Sequence, residues 1–310
     1  MALLSSCEKV VEFSAGEQSP YVVLLSNPKS DSTIDVSLRY SRFFLDNRNF
    51  ANIDDATMTL IANGIEYTGT RTGDGQYNIG YTVQPGDSLT LRVEVPGKET
   101  VTSSTRIPVR PDVSNVVVED ADYNEYSYSI YYNTKISFKL KDNPNERNYY
   151  RIRIFSRYKD YTWDENEATI IGEYEQANWF SCSDPVITGS TDVFNYLDNN
   201  GNFEGRELIF SDETFNGKEH EIVLTTDSYS SWIGDEEYWP LMTILVESMS
   251  RDWYLFKQTT AEQEDYIAFF AEPTQIHSNV KGGIGIFAGS SQFRYQFTRE
   301  PQTEEKKRTR

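Results

Sequence analysis

The sequence is poor in the residues that build covalent or metal-bound frameworks. Its 310 residues include two cysteines, Cys7 and Cys182, and two histidines, His220 and His277. One cysteine lies at the extreme N-terminus, so the chain lacks the dense disulfide framework of small secreted domains. No two of these residues have the short spacing of a structural zinc site. The sequence therefore predicts no metal site and no cofactor.

A positive charge excess and long apolar runs are also missing. The net charge is -19 at pH 7, which argues against binding nucleic acid and against attachment to an anionic membrane through a basic patch. The chain has no run of about 18 apolar residues, so we expect no membrane-spanning helix.

Familiar catalytic motifs are absent as well. The chain has no Gly-x-Ser-x-Gly, Walker A loop, dinucleotide-binding glycine pattern or His-Glu-x-x-His. A Ser-His-Asp triad would need His220 or His277 as its base, and neither neighbourhood is arranged for that role. We therefore predict a protein without enzymatic activity. A hydrolase that uses two carboxylates stays open as a less favoured alternative, because acidic residues are abundant.

Strand-forming residues dominate what is present, with 21 Tyr and 17 Phe. Over residues 20–109, short runs of alternating apolar and polar residues are separated by turn pairs such as Asn63-Gly64 and Pro85-Gly86. These pairs favour tight turns. The pattern predicts an N-terminal immunoglobulin-like or transthyretin-like β-sandwich.

Pro108 and Pro111 mark a predicted boundary to a second β-rich domain over residues 112–299. Its strand signals are longer, and one short helix is predicted near 251–262. The expected architecture is a β-barrel-like or two-sheet domain with that helix. The last residues, 300–310, form a charged tail.

The stretch from Glu272 to Gly289 is the most distinctive part of the chain. Pro273 ends the preceding element, because proline lacks a backbone N–H. Gly283 and Gly285 interrupt an apolar strand and predict a bulge or the close approach of a neighbouring backbone. We expect this strand to close the sheet of the second domain.

The first residues have the order of a lipobox. Leu4, Ser5 and Ser6 precede Cys7, which gives a large apolar residue, two small residues and the thiol that lipid-transfer enzymes modify. Residues 1–19 lack the basic start and apolar core of a full secretion signal, so we interpret them as a lipobox remnant and a tether. A cloning remnant with a buried free cysteine is the alternative.

Tryptophan and tyrosine cluster in segments predicted to connect strands. The candidate contact residues are Trp163, Tyr229, Trp232, Tyr238 and Trp239. Exposed rings of this kind are favoured at protein interfaces, and flat rings also stack on sugars. The sequence leaves open whether they form a contact surface or cap the end of a sheet.

Four segments resemble one known family. Residues 272–289 contain an acidic-Pro pair, a Ser-Asn-Val step and Gly-Ile-Gly-Ile-Phe, and residues 148–154, 210–217 and 250–256 add weaker likenesses. This pattern is similar to the signature of domain-of-unknown-function family 4249, a group of outer-membrane lipoproteins of Bacteroidota. The family has no catalytic residues to carry over.

The resemblance implies a location and a partner and not a chemistry. It implies a lipid-anchored accessory protein of the outer membrane, at the cell surface, associated with a TonB-dependent transporter or a similar outer-membrane complex. A surface lipoprotein that itself binds a glycan or a peptide is the alternative.

Overall fold

The computed structural model describes residues 19–42, 48–126, 129–164, 167–189, 197, 200–229, 231–233, 236–264 and 275–298. At 120–126, 129–132, 163, 167–168, 228–229, 231–233, 236–237 and 262–264 it describes the course of the backbone alone. The described chain is mainly β, which confirms the predicted class.

The strands of the first region are β1 (Val22–Ser26), β2 (Ile34–Tyr40), β3 (Thr57–Ala62), β4 (Ile65–Gly73), β5 (Gln76–Ile79), β6 (Ser88–Glu94) and β7 (Val101–Arg106). The second region starts with β8 (Asp112–Tyr126), β9 (Ser129–Lys141), β10 (Tyr149–Asp164), β11 (Glu167–Ala177), β12 (Phe180–Cys182) and helix α1 (Pro185–Thr188). It continues with β13 (Phe203–Gly205), β14 (Leu208–Ser211), β15 (Glu219–Tyr229), β16 (Ser231–Ile233), β17 (Glu236–Tyr238) and β18 (Leu241–Met249). The last elements are helix α2 (Arg251–Glu264), β19 (Ile284–Phe287) and β20 (Ser290–Phe297).

An eight-stranded sheet in the order β19-β1-β2-β5-β4-β3-β6-β7 surrounds the first core. Apolar and polar residues alternate along its strands, so one face points inward and buries residues such as Leu24, Val36 and Leu60. The sequence predicts an immunoglobulin-like or transthyretin-like β-sandwich here. The strands of this region follow one continuous order, because β4 pairs with both β3 and β5.

Two five-stranded sheets form the second region. One has the order β11-β10-β18-β20, with β14 also paired to β10, and the other has the order β13-β12-β15-β9-β8. Their facing side chains make the second core, which includes Phe138, Ile154, Leu224 and Val246. Of the two predicted forms for this region, the structure has the two-sheet form.

The chain returns to the first sheet near its end. β19 pairs in parallel with β1, with Ile284 opposite Val23, and Lys281 bridges to Thr102 on β7. The two edges of the eight-stranded sheet are thereby linked, and the sheet is nearly closed. The prediction that this stretch closes the sheet of the second region is wrong for β19, since only β20 joins that sheet, beside β18.

Glycines make this crossing possible. Gly285 has a φ of 118°, and a Cβ atom at this position would overlap the carbonyl oxygen of Leu24. At Gly283, an added Cβ would lie 2.6 Å from the carbonyl oxygen of Val22. The predicted close approach of a neighbouring backbone is confirmed at both positions.

Helix α2 lies over a group of charged residues on the outer face of the β11-β10-β18-β20 sheet. The group, here called the charged cluster, consists of Lys29, Arg151, Arg153, Glu207, Glu247 and Lys257. Arg151 and Glu247 are buried and lie opposite each other on β10 and β18, with Arg151 Nε 2.6 Å from Glu247 Oε2. Arg151 also pairs with Glu207 at 2.9 Å, and Glu207 pairs with Lys257 of α2 at 2.8 Å.

The charged cluster sets the ionisation of its members. Burial is the largest single influence on the pKa of Glu247 and would raise it, but Arg151, Arg153 and Lys29 together outweigh burial and the pKa lies below its ordinary value. The pKa of Glu207 is lowered in the same way, against the effect of its burial. Burial lowers the pKa of Lys29, while Glu247 acts in the opposite direction. Because Lys29 follows β1, the cluster couples the first sheet to the second region.

Within the described residues, no helix is long and apolar enough to cross a membrane.

Candidate interaction surface

Three β-hairpins extend from the second region at the same end. Their last paired residues are Tyr126 with Ser129 in β8–β9, Asp164 with Glu167 in β10–β11, and Ile233 with Glu236 in β16–β17. The strand pairing places these hairpins at one end. β15 pairs with β9 as far as Tyr229, near the β8–β9 hairpin, and β18 begins opposite Arg157 of β10. The β16–β17 hairpin lies in the chain between β15 and β18. This part of the molecule is here called the hairpin end.

The hairpin end is remote from the start of β1 along the connected strands. β1 runs from Val22 to Ser26 beside β19, and Lys29 then bridges to Ser290, the first residue of β20. β20 continues along β18 as far as Phe297, next to the start of β18. The strand path therefore leads from Val22 at one end to the hairpins at the other.

The β10–β11 hairpin is a two-stranded ribbon that is exposed on both faces. β18 pairs with β10 only as far as Arg157, whereas β11 stays paired along the rest of the hairpin. Every residue from 169 to 176 is exposed, with Ile171 at 62% and Tyr174 at 51%. The rings of Tyr158 and Tyr174 stack across the ribbon with their centroids 5.5 Å apart.

Tyr238 ties the β16–β17 hairpin to this ribbon. Its hydroxyl donates to the backbone oxygen of Arg157 at 3.3 Å, and the Lys159 ammonium lies 4.4 Å from its ring centroid. Burial raises the pKa of Tyr238, and the Glu173 carboxylate adds to the rise. Rings and charges from β10, β11 and β17 therefore meet at the hairpin end.

The structure divides the aromatic residues that the sequence singles out. Trp163, Tyr229, Trp232 and Tyr238 lie in β10, β15, β16 and β17, so the prediction that they occupy connecting loops is wrong. The side chains of the first three lie outside the described residues. Trp239 is only 4% exposed, which corrects its assignment as a surface anchor, because the chain enters the sheet there at the start of β18.

The lipobox and its Cys7 also lie outside the described residues.

Sequence reasoning missed the apolar surface of β11. Ile170 is 50% exposed, and Ile171 and Tyr174 are more so. Two adjacent isoleucines break the alternation of a strand with one buried face, which was the available signal. Trp179, which follows β11, is 56% exposed and has the Arg206 guanidinium 5.5 Å from its ring centroid.

The two histidines contact acidic side chains of the fold, and Cys182 is a buried free thiol. His220 Nε2 lies 2.5 Å from Asp184, which also caps α1, and His277 Nε2 lies 2.9 Å from Asp252 of α2. Burial raises the pKa of the Cys182 thiol to about 11, so the thiol stays protonated at neutral pH. Among the residues that the structure describes, no group of three or more His, Cys, Asp and Glu side chains could hold a metal ion.

Sequence comparison reveals a family relationship. The family described as Domain of unknown function (DUF4249) matches residues 8–296, which is nearly the whole chain. The chain belongs to the DUF4249 family. No curated protein matches the sequence.

Two solved structures resemble this DUF4249 protein weakly. One comes from work described as "Chaperone-tip adhesin complex is vital for synergistic activation of CFA/I fimbriae biogenesis"; it is 10% identical, has a TM-score of 0.21, and the match covers 75% of this chain and 86% of that chain. The other is the collagen-binding domain of the Erysipelothrix rhusiopathiae surface protein RspB, which is 8% identical with a TM-score of 0.19 over 88% of this chain and 97% of that chain. Neither likeness carries an argument about function.

The segments that resemble the DUF4249 signature lie at structural junctions. The Asn279 side chain accepts from the backbone N–H of Phe287 at 3.0 Å and donates to its carbonyl oxygen at 2.9 Å. The backbone N–H of Asn148 donates to the buried Asp212 carboxylate at 2.8 Å. These contacts fasten a turn to β19 and the start of β10 to the end of β14. In this DUF4249 chain, Asn279, Asn148 and Asp212 of the resembling segments therefore stabilise the fold.

Proposed function

We propose that this DUF4249 protein is a non-enzymatic, lipid-anchored accessory protein of the outer membrane, at the cell surface, which docks to a TonB-dependent transporter or a similar outer-membrane complex. The observation that carries the proposal is the β10–β11 ribbon. It exposes Ile170, Ile171 and Tyr174 next to stacked tyrosine rings. Aliphatic and aromatic side chains exposed together are typical of interaction surfaces.

A lipid on Cys7 would favour docking because of where it joins the chain. The anchor would join the chain on the β1 side, and the hairpin end lies at the other end of the strand path. An anchor confines the protein to the membrane plane and raises the effective concentration of every membrane neighbour. A surface with a few aromatic anchors and a polar rim then suffices for binding.

Direct capture of a glycan or a peptide is the second candidate function. The observation that favours it is Trp179, whose exposed ring lies next to Arg206. A flat ring with a cation beside it can stack on a sugar or an amide plane. This site is separate from the β11 side chains that carry the first proposal, so the two can be tested independently.

The docking proposal is tested by recovery of partners from native membranes. The protein, expressed behind a complete signal sequence, is pulled down as wild type and as the double variant Ile171→Ala/Tyr174→Ala, and the recovered proteins are identified by mass spectrometry. We expect the double variant to recover at least about fivefold less of an outer-membrane protein. Its melting temperature should stay unchanged because both side chains are exposed. Ile65→Ala, at an exposed position of the first sheet, is the matched control.

Further outcomes test the lipid anchor and the second candidate function. Cys7→Ser should release the protein from the membrane fraction, and continued partitioning with membranes would contradict the anchor. If the wild type recovers no membrane protein, the docking proposal is wrong. Glycan or peptide binding by the wild type that is lost in Trp179→Ala would then establish the second candidate.

A further inference from the structure

β11 is an edge strand with one open side. Within the described residues it pairs with β10 alone, at the edge of the β11-β10-β18-β20 sheet. Exposed edges of this kind can accept a strand from another chain. The exposed run over residues 169–176 covers both faces, so neither face obstructs an approaching strand.

The hydrogen bonds of β11 show which backbone groups face the open side. The N–H of Asn178 donates to the carbonyl oxygen of Ile154 at 2.8 Å, so Asn178 points toward β10. In an antiparallel pair, alternate residues point their backbone groups in opposite directions. The pairing is regular from Ala177 to Gly172, so the N–H and C=O groups of Glu173 and Glu175 point away from β10 into the open edge.

The charges of β11 decide what can bind there. The strand carries Glu167, Glu173 and Glu175 and no basic residue. A second copy that paired over 173–175 would place glutamate opposite glutamate, which is unfavourable. Arg157 and Lys159 of β10 lie opposite Glu175 and Glu173, so a basic strand on the open side would place the two carboxylates between two basic strands. The edge is therefore unsuited to self-association and suited to a basic strand.

We infer that the open edge of β11 accepts a strand of the partner protein in which lysine or arginine alternates with apolar residues. The inference rests on the proposed docking function and deepens it. The basic residues lie opposite Glu173 and Glu175 on one face of the extended sheet. The apolar residues lie opposite Tyr174 on the other face, where the Tyr158 ring already stacks.

The test measures binding of short synthetic peptides to the full chain by fluorescence anisotropy. The probe alternates lysine with valine. One control peptide alternates glutamate with valine, and another is the lysine peptide with N-methylated backbone amides. The methylated control is needed because a protein of net charge -19 attracts any cation. We expect the lysine peptide to bind at least about tenfold more tightly than either control.

Two variants separate edge pairing from general charge attraction. Glu175→Pro removes an N–H that faces the open side and leaves the bonds to β10 intact, so it should abolish binding of the lysine peptide. Glu173→Lys/Glu175→Lys should reverse the preference toward the glutamate peptide. Glu66→Lys, at an exposed position of β4, is the charge control and should bind like the wild type.

The inference is overturned if the methylated peptide binds as tightly as the lysine peptide, or if the proline and charge-reversal variants both bind like the wild type. A native-membrane pull-down separates this failure from failure of the proposed function. If Glu175→Pro still recovers the partner, the edge-pairing inference is wrong and docking stands. If the wild type recovers no membrane protein, docking is wrong, while the peptide result still decides whether the edge binds a basic strand.

Discussion

Glu247 contacts two arginine side chains of the second region, one buried and one partly buried. Its side chain is fully buried on β18, and Arg151 and Arg153 both reach Oε2, at 2.6 and 3.1 Å. Charges in the interior are tolerated when they are paired, because an unpaired one bears the full cost of leaving water. Glu247 is thus shared by two arginines beneath α2, and Glu207 gives Arg151 a second acidic partner.

Glu247→Gln should destabilise the protein by about 3–5 kcal/mol, because it removes the buried carboxylate that buried Arg151 and partly buried Arg153 share. Urea denaturation at neutral pH measures the effect. Glu66→Gln, at an exposed position of β4, is the control and should change stability by less than about 0.5 kcal/mol. An equal stability of both variants would show that the charged cluster does not support the fold.

The same variant should change the pH dependence of stability. The folded-state pKa of Glu247 lies below its ordinary value of 4.5. Its contribution is therefore fully present above that value and is lost as pH falls through the lower folded-state pKa. Denaturation curves of the wild type should show stability falling in this acidic window, and the fall should be smaller in Glu247→Gln.

At the scale of elements, the short strand β19 connects distant parts of the first sheet. It adds a parallel strand to β1, and the preceding Lys281 reaches β7, so four residues and a turn link both edges of the first sheet. The approach is so close that side chains are excluded at Gly283 and Gly285. β19 can pair with β1 because Gly283 and Gly285 have no Cβ atom to clash with the β1 backbone.

Gly285→Ala should therefore weaken the β1–β19 pairing. The substituted residue would combine an unfavourable φ with a clash against Leu24, and we expect a loss of more than about 1 kcal/mol in unfolding free energy. Hydrogen exchange at β1 amides, measured together with urea denaturation, locates the effect. Gly80→Ala is the matched control, because no atom lies within 4 Å of the added Cβ there. Unchanged exchange in β1 would contradict the closing role of β19.

At the scale of the whole molecule, the two regions share the end of the chain. After β18 and α2, the backbone returns to the first sheet as β19 and then re-enters the second region as β20. Side chains also cross between the regions, since Arg110 pairs with Asp31 and donates to the backbone oxygen of Gln292. Neither region is completed by a continuous stretch of sequence.

We expect the full chain to unfold in one cooperative transition. Residues 20–109 contain β1–β7 but lack β19, so a fragment of that range should be less stable than the same strands in the full chain. Differential scanning calorimetry of both proteins tests this. Two separate transitions in the full chain, with a fragment as stable as its counterpart, would show that the regions are independent after all.

The sequence by itself determined the local elements. Alternation of apolar and polar residues marked the strands, Asn63-Gly64 marked a hairpin turn, and the helix predicted near 251–262 is observed at Arg251–Glu264. These signals are readable because strand and helix periodicity and turn conformation depend on neighbouring residues.

Only the tertiary structure decided which elements meet. It assigned β19 to β1, placed Trp239 in the interior and, among the residues that the structure describes, left one edge of β11 without a neighbouring strand. A strand carries the same alternation whichever partner it has, and a ring carries the same chemistry whether buried or exposed. Pairing and burial depend on residues far away in the sequence, and their free energy is realised only when the chain has brought those residues together.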